Sequence, residues 1–229
     1  MNALDRSATL AQLVTEHPAA ARVFQRHGMD YCCHGNVSVP EACRGGRLEP
    51  AAVFAELEEA VAAARLDAQP IDDPRTLPID ALIARIVEKH HGYTRRAVPA
   101  IEPVLAKVVA VHGPRDANLL ELQAAFEELA GALLPHLDEE EEVLFPALRS
   151  PRPDPALVRR ELDAMMTDHL AVGDLLARIR TLAHGFTVPE WGCRTYRVLM
   201  QELEALEADI LRHVHLENHV LVPRVAGAH

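Results

Sequence analysis

The chain has 229 residues, 49 % hydrophobic but only 4 % aromatic, and a formal net charge of -11. That length suffices for one medium domain plus a small one, and an apolar set made mostly of Ala, Leu and Val favours helices over sheet. The acidic balance and the lack of any Lys/Arg run exclude a nucleic-acid footprint, and an acidic surface repels anionic membranes while tolerating cationic partners such as metal ions.

The opening stretch, MNALDRSATLAQLV, lacks the charged n-region and long apolar run of a signal peptide. Residues 1–66 read as a small helical unit. Pro18 opens PAAARVFQRH and Gly28 closes it in the C′ position. Ser38 with Pro40 starts a short helix through Cys43, and Pro50 opens the strongly helical AAVFAELEEAVAAARL. Between them the stretch Asp30-Tyr31-Cys32-Cys33-His34-Gly35 looks exposed. Residues 67–78, DAQPIDDPRTLP, are polar and proline-rich and read as a linker.

From residue 79 to 229 the pattern predicts four long helices: about Ile79 to His112, Asp116 to Arg149, Pro155 to His184 and Pro189 to Pro223. Short breaks between long helices favour antiparallel neighbours, so the fold class is all-α, an up-down-up-down four-helix bundle with a small N-terminal helical domain. Pro99, Pro103 and Pro135 fall inside helices and are expected to kink them. No apolar run approaches the roughly 18 residues that span a bilayer. Four cysteines do not make a disulfide scaffold in a chain this size, which points to a reducing compartment, the cytoplasm.

Two segments repeat one pattern. His136-x-x-x-Glu140 and His213-x-x-x-Glu217 are each followed by Val-Leu and then Pro, at Pro146 and Pro223. A spacing of four stacks imidazole and carboxylate one turn apart on a helix face. One His-x-x-x-Glu is weak; two with the same tail, on alternate helices, are specific. The third helix offers His169 after Asp168, and the first offers His90 and His91. At 1.5 Å per residue, His91, His136, His169 and His213 lie roughly 18, 15, 21 and 15 Å from one end of the bundle, so four helices bring one imidazole each to nearly one level. His112 lies about 31 Å further along the first helix and is excluded. Four imidazoles with two carboxylates suit a pair of irons better than a single zinc, which saturates at four ligands. Two bridging glutamates leave two His per iron, and an oxo or hydroxo bridge still leaves an open position for O₂ or NO.

The C-terminal part resembles the hemerythrin-like di-iron bundle, and the whole chain resembles the repair-of-iron-centres family, the YtfE/ScdA type. The motifs that carry this are Asp30 to Gly35, His91 with Pro99, Val111-His112-Gly113, His136-x-x-x-Glu140 with Leu144-Phe145-Pro146, Asp168-His169 with Gly173, and His213-x-x-x-Glu217-Asn218 with Pro223-Arg224. The resemblance implies a non-haem di-iron protein of nitrosative and oxidative stress that repairs damaged iron–sulfur clusters by donating iron and reacts with NO. By match, His91, His136, His169 and His213 are terminal ligands and Glu140 and Glu217 bridges. The spacing of His91 to Pro99 selects it over His90. Oxygen-carrying hemerythrins place a second His where Gly173 stands, so this centre is more open and more labile. Val222 replaces an aromatic residue of the motif's tail, His219 is an extra imidazole, and Asp168 stands where relatives often have Glu.

Cys32 and Cys33 read as a free dithiol, since a disulfide between neighbours is strained. Thiolates are soft ligands and redox nucleophiles, so this pair is the candidate for taking up or handing over iron. Cys43 and Cys193 read as helix residues with structural roles, and Asp138, Glu139, Glu141 and Glu142 as a solvated acidic face or, in a sharper reading, an entry path that attracts Fe²⁺. Expected partners are damaged iron–sulfur proteins and NO or O₂, with no nucleic acid and no membrane; the cysteine domain can also act across a homodimer. The competing readings are a di-iron NO reductase or peroxidase, and an O₂ or NO carrier or sensor.

Overall fold

A computed structural model describes residues 4–44, 48–66 and 73–226. The helices are α1 (Leu10–Glu16), α2 (Ala20–Arg26), α3 (Val39–Cys43), α4 (Pro50–Leu66), α5 (Ile79–Arg85), α6 (Gly92–His112), α7 (Asn118–Glu139), α8 (Phe145–Arg149), α9 (Pro155–Leu182), α10 (Arg194–Leu216) and α11 (Val222–Ala226). Among the described residues there is no strand, only one isolated bridge between Thr9 and Ser38. The first part of the sequence-read linker, residues 67–72, lies outside the described residues. No helix is long and apolar enough to cross a membrane among the described residues.

Packing divides the chain into two compact units. The described residues up to Pro78 together with Val214–Ala226 form one, and Ile79–His213 the other; the boundary falls inside α10.

In the first unit, Thr9 and Gln12 form a capping box that starts α1, and Ser38 and Glu41 another that starts α3. Helix α1 is an element beyond those predicted from sequence, although Thr9 with Gln12 is the signal for it. Gly28 ends the α2 segment with φ 64°, a left-handed conformation that glycine adopts without a Cβ penalty. Leu10, Leu13, Phe24, Tyr31, Val39 and Leu57 fill the core. Each such apolar side chain contributes about 1.5–3 kcal/mol by leaving water.

In the second unit, α5 and α6 are joined by a π-helical turn, Ile86–His91, into one rod; α7 and α8 are joined by another, Glu140–Leu144. The fourth rod begins in this unit with α10 and passes, in residues that belong to the first unit, through a third π turn, Glu217–Leu221, into α11. The four rods predicted from sequence are all present. Pro99 and Pro103 lie within α6 and Pro135 within α7 without ending either helix. The fourth rod starts at Arg194 rather than near Pro189, because Gly192 N–H bonds the Pro189 carbonyl at 2.8 Å and closes a turn first. Asp154 caps α9 by accepting the Ala156 N–H, with Pro155 at the first helical position. The buried residues of α9, Val158, Glu161, Met165, His169, Val172, Leu176 and Ile179, recur at three and four and make one interior stripe. His169 is one member of that stripe. His136 occupies the same kind of position in α7, after Leu129 and Leu133. These imidazoles are therefore core residues by address and are desolvated with the leucines around them.

Candidate metal centre

The imidazoles of the second unit meet in two pairs. His91 Nε2 faces His213 Nε2 at 3.0 Å, and His136 Nε2 faces His169 Nε2 at 3.1 Å. The rings of each pair lie edge to face, with centroids 4.7 Å and 4.9 Å apart. All four are buried, none more than 5 % exposed.

Glu140 stands between the pairs. Its Oε2 lies 3.4 Å from His91 Nε2 and 4.0 Å from His213 Nε2, and its Oε1 lies 3.5 Å from His136 Nε2. The side chain is 2 % exposed, yet neither oxygen has a hydrogen-bond partner. A buried carboxylate left in that state costs more than the roughly 1–3 kcal/mol of an ordinary unsatisfied polar group. Ring nitrogens crowded at contact distance around an unsatisfied carboxylate are a donor set that a divalent cation fits. One group of donor atoms, from His91, Glu140 and His213, lies within 4.8 Å of one another, and so does a second, from His136, Glu140 and His169. Glu140 belongs to both.

The opposite ring nitrogens are held from outside. Glu141 Oε1 lies 2.8 Å from His91 Nδ1, and Asp168 Oδ2 lies 3.2 Å from His136 Nδ1. A carboxylate there accepts the Nδ1–H hydrogen bond, fixes the tautomer and leaves the Nε2 lone pair facing inward. Arg95 steadies this arrangement, with one nitrogen 2.9 Å from Glu141 and another 2.7 Å from Asp138. Burial pushes the Glu141 carboxyl up, but its bonds to His91 and Arg95 outweigh this and hold it below the usual range. Glu141 thus belongs to the site and not to a solvated acidic face, while Asp138, Glu139 and Glu142 are exposed as the sequence suggests. The missed signal was the step of one residue from Glu140 at the start of a π turn.

His90 and His91 part company. His91 turns into the interior, with Phe145 stacked on it at 5.7 Å. His90 Nδ1 lies 3.0 Å from Asp209, and its ring stacks on His213 at 5.8 Å. Glu217 follows His213 by one turn on the same continuous helix and opens the third π turn, with its side chain buried.

Residues 82–225 match the model of the hemerythrin HHE cation binding domain. Residues 6–61 match a domain of unknown function, DUF542. The chain belongs to the hemerythrin HHE family. It is 31 % identical over 222 residues to the iron-sulfur cluster repair protein ScdA of Staphylococcus haemolyticus (strain JCSC1435), covering 93 % of this chain and 95 % of that one. The ScdA of Staphylococcus epidermidis (strain ATCC 12228 / FDA PCI 1200) is 29 % identical over 220 residues, covering 95 % and 97 %. The iron-sulfur cluster repair protein YtfE of Yersinia pseudotuberculosis serotype IB (strain PB1/+) is 29 % identical over 219 residues, with 96 % of each chain covered.

The cysteine pair of this hemerythrin-family chain lies in the first unit, in the stretch matched by the DUF542 model. The two sulfurs are not joined in a disulfide and lie 3.4 Å apart. The stretch is not exposed as the sequence suggested: Tyr31 and Cys32 are buried and Cys33 is half-buried. Asp30 organises it. One of its oxygens accepts the backbone N–H of Cys32 and of Cys33, each at 2.9 Å, and the Cys32 thiol at 3.2 Å; the other lies 2.8 Å from His34 Nδ1. A Cβ on Gly35 would lie 2.2 Å from the Tyr31 carbonyl oxygen, so the turn requires glycine there. Burial, with Cys33 and Asp30 alongside, pushes the Cys32 thiol well above its usual range and keeps it protonated. The extra imidazole noted in the sequence has a structural use. His219 Nε2 donates to the Cys32 carbonyl at 2.8 Å, and Asn218 Nδ2 donates to it at 3.3 Å. His215 packs edge-on against Tyr31 at 5.6 Å. The segment that begins with Glu217 is the dithiol turn's own docking surface.

Proposed function

We propose that this chain is a non-haem di-iron protein that restores iron–sulfur clusters damaged by nitrosative and oxidative stress, by donating iron to them in the cytoplasm. Its bundle domain is residues 79–229, preceded by a linker at 67–78 and the cysteine domain at 1–66. The observation that carries the reading is the pair of imidazole couples sharing one unsatisfied carboxylate. His91 and His213 would hold one ion and His136 and His169 the other, and Glu140 and Glu217 would be shared between them. Glu217 enters because it stands to His213 as Glu140 stands to His136, one turn on along a helix. The names of the similar proteins, ScdA and YtfE, support the substrate class.

Iron held there would supply the ion that a broken cluster has lost and would bind small molecules such as NO or O₂. The protein's own groups hold and release it. Glu141 and Asp168 keep the Nε2 lone pairs turned inward, and Phe145 shields His91 from water. The third helix gives a single imidazole and Gly173 in place of a second, so fewer bonds must break for an ion to leave. Cys33, the more exposed thiol of the pair, meets the incoming protein, and Cys32 stands behind it as the second thiol for iron transfer.

The test is to incubate the iron-loaded protein anaerobically with an NO-damaged iron–sulfur enzyme. Recovery of that enzyme's activity in step with iron loss from this chain, weakened by Cys32→Ala/Cys33→Ala, is the expected result. Repeated NO consumption with iron retained and no recovery would replace the donor by a turnover catalyst.

A further inference from the structure

The second unit holds another meeting of a nucleophile with an imidazole, at the far end of α6. His112 closes that helix about 31 Å along it from His91. Its Nε2 lies 3.2 Å from the sulfur of Cys193. The sequence suggested a structural helix residue; instead Cys193 is exposed and caps the start of α10, its carbonyl accepting the Arg197 N–H at 3.1 Å. The backbone N–H groups of Thr195 and Tyr196, in the first turn of α10, add to the effect of His112 in favouring the Cys193 thiolate. An imidazole at the end of one helix thus meets a solvent-facing sulfur at the start of another.

The turn before it is built for this position. A Cβ on Gly192 would lie 2.7 Å from Val188 Cγ1 and 2.9 Å from the Pro189 carbonyl oxygen, so glycine lets the chain fold tightly into the cap. The surroundings favour negative charge on sulfur. Cys193 precedes the first turn of a 23-residue helix, and a helix N-terminus favours negative charge. The Arg115 guanidinium sits 4.9 Å over the Trp191 ring, and that ring lies 5.6 Å from His112. Asp116 accepts from the Tyr196 hydroxyl at 3.3 Å and lies 3.9 Å from His184 Nε2. Arg194 follows the cap directly in sequence, and Glu190 precedes the turn. The His112 hydrogen bond foremost, and the Tyr196 amide after it, bring the thiol down to about 7. A thiol that titrates near ambient pH is the best attacking group in thiol–disulfide exchange, since it combines a large thiolate fraction with retained nucleophilicity.

We propose that Cys193 is a modification site that exchanges with small anionic disulfides. The Cys193 sulfur attacks one sulfur of the disulfide, forming a new S–S bond as the old one breaks. The Cys193 thiol proton goes to solvent, and the departing thiolate keeps the electron pair and takes a proton from solvent. The disulfide is the sole oxidant and no metal takes part, so the site is independent of the iron reading. Trp191, the chain's only tryptophan, reports on it from two residues away.

Glutathione disulfide is the probe, applied to the iron-loaded full chain across the pH range around the midpoint, with the adduct at each cysteine read by peptide mass mapping. Cys193 is expected to carry glutathione with a rate that rises through a midpoint near 7. At neutral pH it should react about three- to ten-fold faster than an ordinary peptide thiol, a large gain in thiolate offset in part by lower nucleophilicity. His112→Asn should move the midpoint up by about one unit and slow Cys193 about two-fold, with the Cys33 adduct unchanged. Cys193→Ser should abolish both the adduct and the Trp191 emission change. The proposal fails if Cys193 forms no adduct, if it titrates as a free thiol near 8.5, or if a folded His112→Asn protein keeps the wild-type midpoint. Should that variant not fold, the wild-type pH profile at Cys193 decides alone.

Discussion

Three of the four long rods leave α geometry where their metal-ligand candidates sit, and one does not. Ile86–His91 ends on His91, Glu140–Leu144 begins on Glu140 and Glu217–Leu221 begins on Glu217, whereas Pro155–Leu182 runs as regular α-helix through His169. A π turn takes in one residue more than an α turn and so rotates the helix beyond it, which is why such turns collect at functional sites. His169 needs no rotation, because it already falls on the buried stripe between Met165 and Val172. The difference teaches how a leucine-rich core admits polar ligands. A lone imidazole can replace an apolar residue in the stripe; a carboxylate, or two histidines in succession of which one must face out, requires a local change of backbone.

The comparison can be broken at its shared point. Glu140→Ala removes the carboxylate common to both imidazole pairs and is expected to take iron from two ions per chain to fewer than one, measured by metal analysis after anaerobic reconstitution. Deleting Glu142 should return the second rod to α register. Iron affinity is then expected to fall about ten-fold or more, as for loss of oriented ligands, while far-UV ellipticity stays near wild type. In the regular rod, His169→Ala should cost one ion only and leave the His91–His213 group loaded. Asp168→Asn, which touches the same group through His136 Nδ1, should weaken it by about ten-fold. The smallest effect concerns stability. In metal-free protein, Glu140→Gln replaces a buried carboxyl group whose oxygens make no hydrogen bond and is expected to stabilise the fold by about 1–3 kcal/mol in urea unfolding. Iron should reverse that order, because it binds the folded wild type and not the unfolded chain.

Much of this was legible in the sequence. Helix period, proline breaks and a rise of 1.5 Å per residue were enough to place His91, His136, His169 and His213 at one level. The π turns were not, because a change from i+4 to i+5 bonding leaves no mark in composition. Glu141 was hidden for the same reason: in α register it belongs to the acidic face around Glu140, and only the altered turn brings it to His91. Asp168 stands beside His169 in the sequence, yet its partner is His136 on another helix, a contact that spacing along one chain cannot show. The dithiol stretch looked exposed because it is polar and lies between helices; its burial comes from Tyr31 and from His219, some 187 residues away along the chain from Cys32. Cys193 was misplaced because the turn closed by Gly192 delays the helix start to Arg194.

Anomalous diffraction at the iron edge, from crystals of the anaerobically loaded protein, would look directly at the ions. Two peaks are predicted per chain, one between His91 and His213 and the other between His136 and His169, with Glu140 in reach of both. A single peak, or iron bound away from these four imidazoles, would contradict the account.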